Sequence, residues 1–295
     1  MKDSTYENLT EAFLIENAGF HGHLFRPFED GFSGLSVIVL GGGGVPYKLT
    51  LDEAQAFADM GITALAVGYF NVVDAPKTIV NVPIEYVENA ARYLYSLGFD
   101  NVVVAGISKG AELALTAASL IPEINGAIAF SPPSRVYMGV GPGISWVDSS
   151  SWTFRGNALP YAYAPASGIR ALMESLRAGE LTFRSVYERA NSCACEESII
   201  PAEKIHGPIL LCASSNDSLW PSEKACEEIA ARLDAKGFAF PCKTLVYPYA
   251  SHILLPFETG YERFFRIGRS HPQECLNTIE ELRFEMLDWL HCLET

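Results

Sequence analysis

NVVVAGISKGAELALTAASL, residues 101–120, joins two patterns without a break. The β-branched run ending at Gly106 reads as a buried strand, and the alanine- and leucine-rich segment after Lys109 reads as a helix. Between them, Gly106-Ile107-Ser108-Lys109-Gly110 fits G-x-S-x-G, a sharp strand-to-helix turn that presents a nucleophilic serine. Side chains at the two flanking glycine positions would collide with nearby backbone. A serine that only caps a helix is the plainer alternative. The strand before and the helix after Ser108 favour the nucleophile.

The pattern extends outward from this turn. LSVIVL (35–40), ITALAVGYF (62–70), GAIAF (126–130), GPILLCAS (207–214) and CKTLVY (242–247) read as strands, with a short earlier one in HGHLFRPF (21–28). Helical spacing recurs at 50–61, 82–98, 109–120, 222–237 and 275–293. In the first of these, Thr50 and Glu53 are spaced as a capping box and Gly61 as the stop. Alternating strands and helices predict an α/β fold, a mostly parallel sheet with helices on both faces, and the G-x-S-x-G turn within it matches the α/β-hydrolase plan. Residues 132–200 break the rhythm, being rich in Gly, Pro, Ser and Tyr with one helical candidate at 168–180. So long a structureless stretch is improbable in a compact domain, so it reads as an inserted cap. Its aromatic residues, Tyr137, Trp146, Trp152 and Tyr161 among them, line an apolar substrate pocket or, more modestly, form the cap's own small core. The 295 residues are expected to make one such domain.

A serine hydroxyl needs a base, and the base an orienting acid. In the α/β-hydrolase plan these follow along the chain as Ser, acid, His, each after a strand. Asp217 directly follows strand 207–214, and His252 lies just past strand 242–247. His206 precedes its strand, His21 and His23 precede the serine, and His271 and His291 belong to the C-terminal segment. Asp217 as an ordinary turn residue is the competing reading. The oxyanion hole needs two backbone N–H groups: one from Lys109 at the helix start, the other from the Gly41–Gly44 loop, at Gly43 or Gly42. No Gly-Lys-Ser/Thr follows that loop, which argues against a phosphate cradle. A cation at a helix start opposes the helix dipole, so Lys109 is expected to pair with Glu112 rather than to attract an anionic substrate.

Composition narrows the partners. The formal charge is −14, with 35 acidic against 21 basic residues and no basic cluster, which disfavours nucleic acid. No apolar run reaches the roughly 18 residues of a membrane span, and the N-terminus lacks a signal pattern. The seven cysteines read as reduced thiols of a cytosolic protein. Cys193 and Cys195 have no second pair or histidine at zinc spacing, so neither metal nor organic cofactor is expected.

With these residues placed, the chain resembles the catalytic domain of the acyl-CoA thioesterase and bile acid-CoA:amino acid N-acyltransferase family. The likeness runs from about Gly19 to the end and is carried by GISKGAELALTAAS (106–119), AVGYFNVVDAPKTIVNVPIEYVENAARYL (66–94), DSLWPS (217–222) and the ASH segment ending at His252 with the LPF that follows. Generic esterases do not share the second of these. The resemblance implies Ser108 as nucleophile, Asp217 as acid, His252 as base, and an acyl thioester or ester as the small-molecule substrate. N-acyltransferase members carry cysteine where this chain has Ser108, which tilts the expectation toward hydrolysis of acyl-CoA. A dienelactone-hydrolase-like esterase and acyl transfer to an amine are the alternatives. Three features depart from the family: no β-sandwich domain is expected ahead of the hydrolase domain, Ser251 replaces the usual glycine, and Asn216-Asp217 replaces an acidic pair.

Overall fold

A computed structural model describes residues 6–143, 145–166 and 168–293. Strands β1 (Leu9–Phe13), β2 (Gly22–Phe25), β3 (Leu35–Leu40), β4 (Thr63–Val67), β5 (Asn101–Ile107), β6 (Gly126–Phe130), β7 (Ile209–Ser214) and β8 (Cys242–Tyr247) form one sheet in the order β1-β2-β4-β3-β5-β6-β7-β8. The β1–β2 and β2–β4 pairs are antiparallel, and the rest of the sheet is parallel. Strands β3, β4, β6 and β7 are buried along their whole length, as a sheet covered on both faces requires.

Alternation within each strand supplies two cores. Ile38, Leu65 and Val104 face helices α2 (Glu85–Ser96), α3 (Lys109–Leu120) and α4 (Ser222–Lys236). Val37, Ala64 and Val103 face α1 (Tyr47–Asp59) and α5 (Pro272–His291). No helix among the described residues is long and apolar enough to cross a membrane.

The start of α1 corrects the capping-box expectation. The helix begins at Tyr47 behind Pro46, whose φ of −68° suits the residue entering a helix. Thr50 and Glu53 therefore lie inside the helix and are buried, and neither caps it. Both carboxylate oxygens of Glu53 are without a hydrogen-bond partner, and burial pushes this group up to about 8.

Between β6 and β7 the chain is more ordered than its composition suggests. Met138–Gly141 pairs antiparallel with Ser145–Ser150. Trp152–Phe154 pairs with Asn157–Ala158 and, in parallel, with Val82–Pro83. Two helices follow, Gly168–Ala178 and Arg184–Cys193, where one was expected. Tyr137, Met138, Val186, Tyr187 and Trp220 make a separate small core, with Trp146 and Tyr161 packed against it. Trp152 belongs instead to the main core.

Candidate active site

Ser108 sits between β5 and α3 with φ 58° and ψ −120°, a left-handed conformation that a non-glycine residue holds only under surrounding constraint. The constraint is visible in its neighbours. A Cβ on Gly106 would strike the backbone of Gly110, and one on Gly110 would strike the Leu40 carbonyl. The Ser108 N–H donates to the Phe130 carbonyl at 2.9 Å, while its own carbonyl accepts from Glu112 N–H at 3.0 Å. The turn is thus wedged between β3 and β6.

Asp217 and His252 come from the loops after β7 and β8 and meet in the interior, 2 % and 1 % exposed. His252 Nδ1 lies 2.9 Å from both carboxylate oxygens of Asp217. The carboxylate also accepts the N–H groups of Leu219 (2.9 Å) and Trp220 (3.2 Å) and the Ser222 hydroxyl (2.7 Å). The Trp220 ring stands edge-on to the imidazole at 5.4 Å, and its N–H donates to the Ser131 carbonyl at 2.9 Å. Ser131 in turn donates its hydroxyl to the His252 carbonyl at 2.8 Å. After all this support, Nε2 of His252 is buried without a hydrogen-bond partner. No hydrogen bond joins it to Ser108 among the described residues, a gap common in substrate-free sites. Ser131, Trp220 and Ser222 were not singled out as site residues in the sequence. Trp220 and Ser222 lie in the DSLWPS stretch that carries the family resemblance.

The glycine loop lies against the serine. A Cβ on Gly42 would come within 3.4 Å of Ser108 Cβ, and one on Gly43 within 3.1 Å of Lys109 Cγ and 2.8 Å of Ile79 Cδ1. Gly41 is turned away and accepts the Tyr69 hydroxyl at 2.7 Å. Lys109 opens α3, so its N–H is among those a helix start leaves without an intrahelical acceptor.

The side chain of Lys109 is 2 % exposed and runs under the segment between β6 and β7, which the sequence reads as an insertion. Its ammonium donates to Glu112 (2.8 and 3.1 Å), the Ser151 hydroxyl (2.8 Å) and the Met138 carbonyl (3.3 Å). Glu112 also accepts the Tyr137 N–H (3.0 Å) and the Trp152 indole N–H (2.8 Å). Burial pushes the lysine down and the carboxyl up, and each charge opposes the other's shift.

Ser108 and His252 together line two apolar cavities, of about 110 Å³ and about 240 Å³. A larger one of about 490 Å³ opens at the amino ends of the strands, beside Gly34, Asp100 and His206, and none of Ser108, Asp217 and His252 lines it. Chemistry rather than volume therefore marks the site. His21 instead pairs with Asp74 at 2.7 Å.

Residues 82–259 match the family model described as BAAT / Acyl-CoA thioester hydrolase C terminal. The chain belongs to this family. It is 32 % identical over 239 residues to the mouse (Mus musculus) protein named acyl-coenzyme A thioesterase 2, mitochondrial, covering 79 % of this chain and 48 % of that protein. It is 26 % identical over 250 residues to the mouse acyl-coenzyme A amino acid N-acyltransferase 2, covering 82 % and 54 % respectively. The chain thus spans about half the length of the curated relatives it matches. Among solved structures, esterase B from Lactobacillus rhamnosis, inhibited by a tributyrin-like phosphonate, superposes with a TM-score of 0.54. That match has 15 % identity and covers 98 % of this chain and 87 % of the esterase, which establishes the α/β-hydrolase fold. Within the BAAT / acyl-CoA thioester hydrolase family, the stretch 66–94 now has a structural reading. Ile79 exchanges two backbone hydrogen bonds with Val140 (3.0 and 2.9 Å) and packs against Gly43, so this segment is the seam between the glycine loop and the insertion.

Proposed function

We propose that this family member is a serine hydrolase of acyl thioesters, with acyl-CoA as the substrate. Ser108 attacks the thioester carbonyl while His252 Nε2 takes the hydroxyl proton. Asp217 fixes the imidazole tautomer and stabilises the imidazolium. The oxyanion lies between the N–H groups of Lys109 and Gly43, with Gly42 as the neighbouring alternative donor. The C–S bond breaks, the thiol leaves with the proton from His252, and water then hydrolyses the acyl-serine by the same route.

The observation that carries this reading is the buried Asp217–His252 pair, whose one unpartnered ring nitrogen belongs to a residue lining the same cavities as Ser108. The thioesterase names of its relatives support CoA as the leaving group. Serine at position 108, in place of the cysteine of the acyltransferases, supports water as the acceptor.

The test pairs fluorophosphonate labelling with thiol release from acyl-CoA esters. Labelling and CoA release are both expected in the wild type and absent in Ser108→Ala. Labelling without CoA release from any ester would move the substrate to oxygen esters.

A further inference from the structure

Ser108 stands where two unequal apolar cavities meet. The smaller, about 110 Å³, lies under the insertion and is walled by Val140, Trp146, Phe183, Tyr187 and Trp220. The larger, about 240 Å³, runs past Val45, Leu49, Ile253, Tyr261 and Phe264. It continues into a third cavity of about 370 Å³ that shares Leu49, Tyr261 and Phe264 and adds Lys48, Thr259 and Arg263. One side of the serine is therefore a small aromatic chamber, and the other leads to a polar, charged surface.

We propose that the chamber under the insertion holds the acyl group, that it selects short acyl chains, and that Trp146 and Phe183 set the limit. The thiol arm then occupies the opposite cavity and leaves toward Lys48 and Arg263. This rests on the reading of Ser108 as the nucleophile.

Three observations support it. At about 110 Å³ the chamber is somewhat smaller than an apolar cavity of roughly 150 Å³ that accommodates benzene, so a few carbons beyond the carbonyl fill it. Its walls are tied down. The strand bearing Val140 is held by Lys109 through the Met138 carbonyl and by Ile79 through two backbone bonds. Trp146 donates to the Tyr187 hydroxyl at 3.4 Å and meets Phe183 edge-on at 5.4 Å, while Tyr187 packs edge-on against Trp220 at 5.1 Å. A packed wall of this kind does not open by small adjustments. Lastly, among the described residues bordering the chamber the one lysine, arginine or carboxylate is Lys109, whose ammonium is already engaged by Glu112, Ser151 and Met138. A polar arm bearing amides and phosphates finds no partner there, whereas the far cavity, which Asp52 also lines, offers the exposed Lys48 and Arg263, whose bonds to Asp52 and to the Gly260 carbonyl leave further N–H groups to solvent.

The experiment measures the rate of Ser108 modification by alkyl fluorophosphonates from ethyl to hexadecyl, read by intact mass, alongside thiol release from the matching acyl-CoA series. Both are expected to peak at chains of about two to six carbons, and to fall at least about tenfold by twelve, since misfit methylenes are individually costly. Trp146→Ala and, separately, Phe183→Ala should move the peak to longer chains. A labelling rate flat in chain length, a peak at long chains, or a profile unmoved in both variants overturns the chamber and leaves the nucleophile standing. No labelling by any member of the series removes the nucleophile and the chamber together.

Discussion

Two buried, hydrogen-bonded side-chain pairs flank Ser108, and they are finished differently. In Lys109–Glu112 both partners are saturated: the ammonium has four acceptor atoms, and the carboxylate takes two further N–H donors from the insertion. In His252–Asp217 the carboxylate is equally well supplied, but Nε2 of the histidine has no partner. Leaving a buried polar atom unpaired costs about 1–3 kcal/mol, and at Nε2 that cost falls on a residue lining the same cavities as Ser108. The saturated pair fastens the insertion to the helix behind the serine. The unsaturated pair is the one to which the proposed mechanism brings a proton.

The comparison can be broken at either pair. The largest effect is expected from Asp217→Asn, which keeps the shape but offers an amide to His252 Nδ1 and so holds the wrong tautomer. kcat should fall by about 10⁴-fold with little change in KM. A fall of less than tenfold would make Asp217 a turn residue and no more. Next is Lys109→Met, which strands Glu112 in the interior and should cost about 3–5 kcal/mol in urea unfolding. Adding Glu112→Gln should recover part of that loss, since a Gln oxygen still accepts from Tyr137 and Trp152 without burying a charge. In the fluorophosphonate assay the folded variants should still label at Ser108. Loss of labelling in well-folded protein would give the lysine side chain a chemical role that its closed surroundings argue against.

The smallest effect tests a third buried carboxyl. Glu53 is raised from its ordinary 4.5 to about 8 by burial alone. A carboxyl raised on folding imposes no penalty below pH 4.5. The penalty grows as pH rises toward 8 and is constant above that. Wild-type stability should therefore decline from pH 5 to pH 9 by up to roughly 3 kcal/mol from this group. Glu53→Gln should flatten that decline in denaturation midpoints measured across the range. Equal slopes in the two proteins would show that Glu53 finds a partner.

The expectations from sequence held where the signal was local. The strand before Ser108 and the helix after it lie where the residue pattern put them, and β3, β4, β6, β7 and β8 fall within the expected runs. The failures share a cause. Strand β1 went unread because only its ends are partly buried, which leaves no apolar alternation to detect. The helix Arg184–Cys193 went unread because its buried Val186, Tyr187 and Ala190 are outnumbered by polar residues. The Thr50–Glu53 spacing matched a capping box by chance, and Pro46 set the true start. The insertion's strands pair with Val82–Pro83 and Ile79, more than fifty positions earlier, so no window of local sequence contains both partners.

Sequence alone determined the α/β alternation, the glycines that make room around Ser108 and the order Ser108, Asp217, His252. Each depends on a residue's own propensity or on neighbours within a turn or two. Tertiary structure alone decided that Gly42 lies against Ser108 and Gly43 against Lys109 and Ile79, while the Gly41 carbonyl accepts from Tyr69. It also decided that Lys109 is spent on Ser151, forty-two residues away, and that Trp146 walls a cavity while Trp152 joins the main core. Those outcomes depend on which distant segments the sheet brings together, and short-range periodicity carries no record of them.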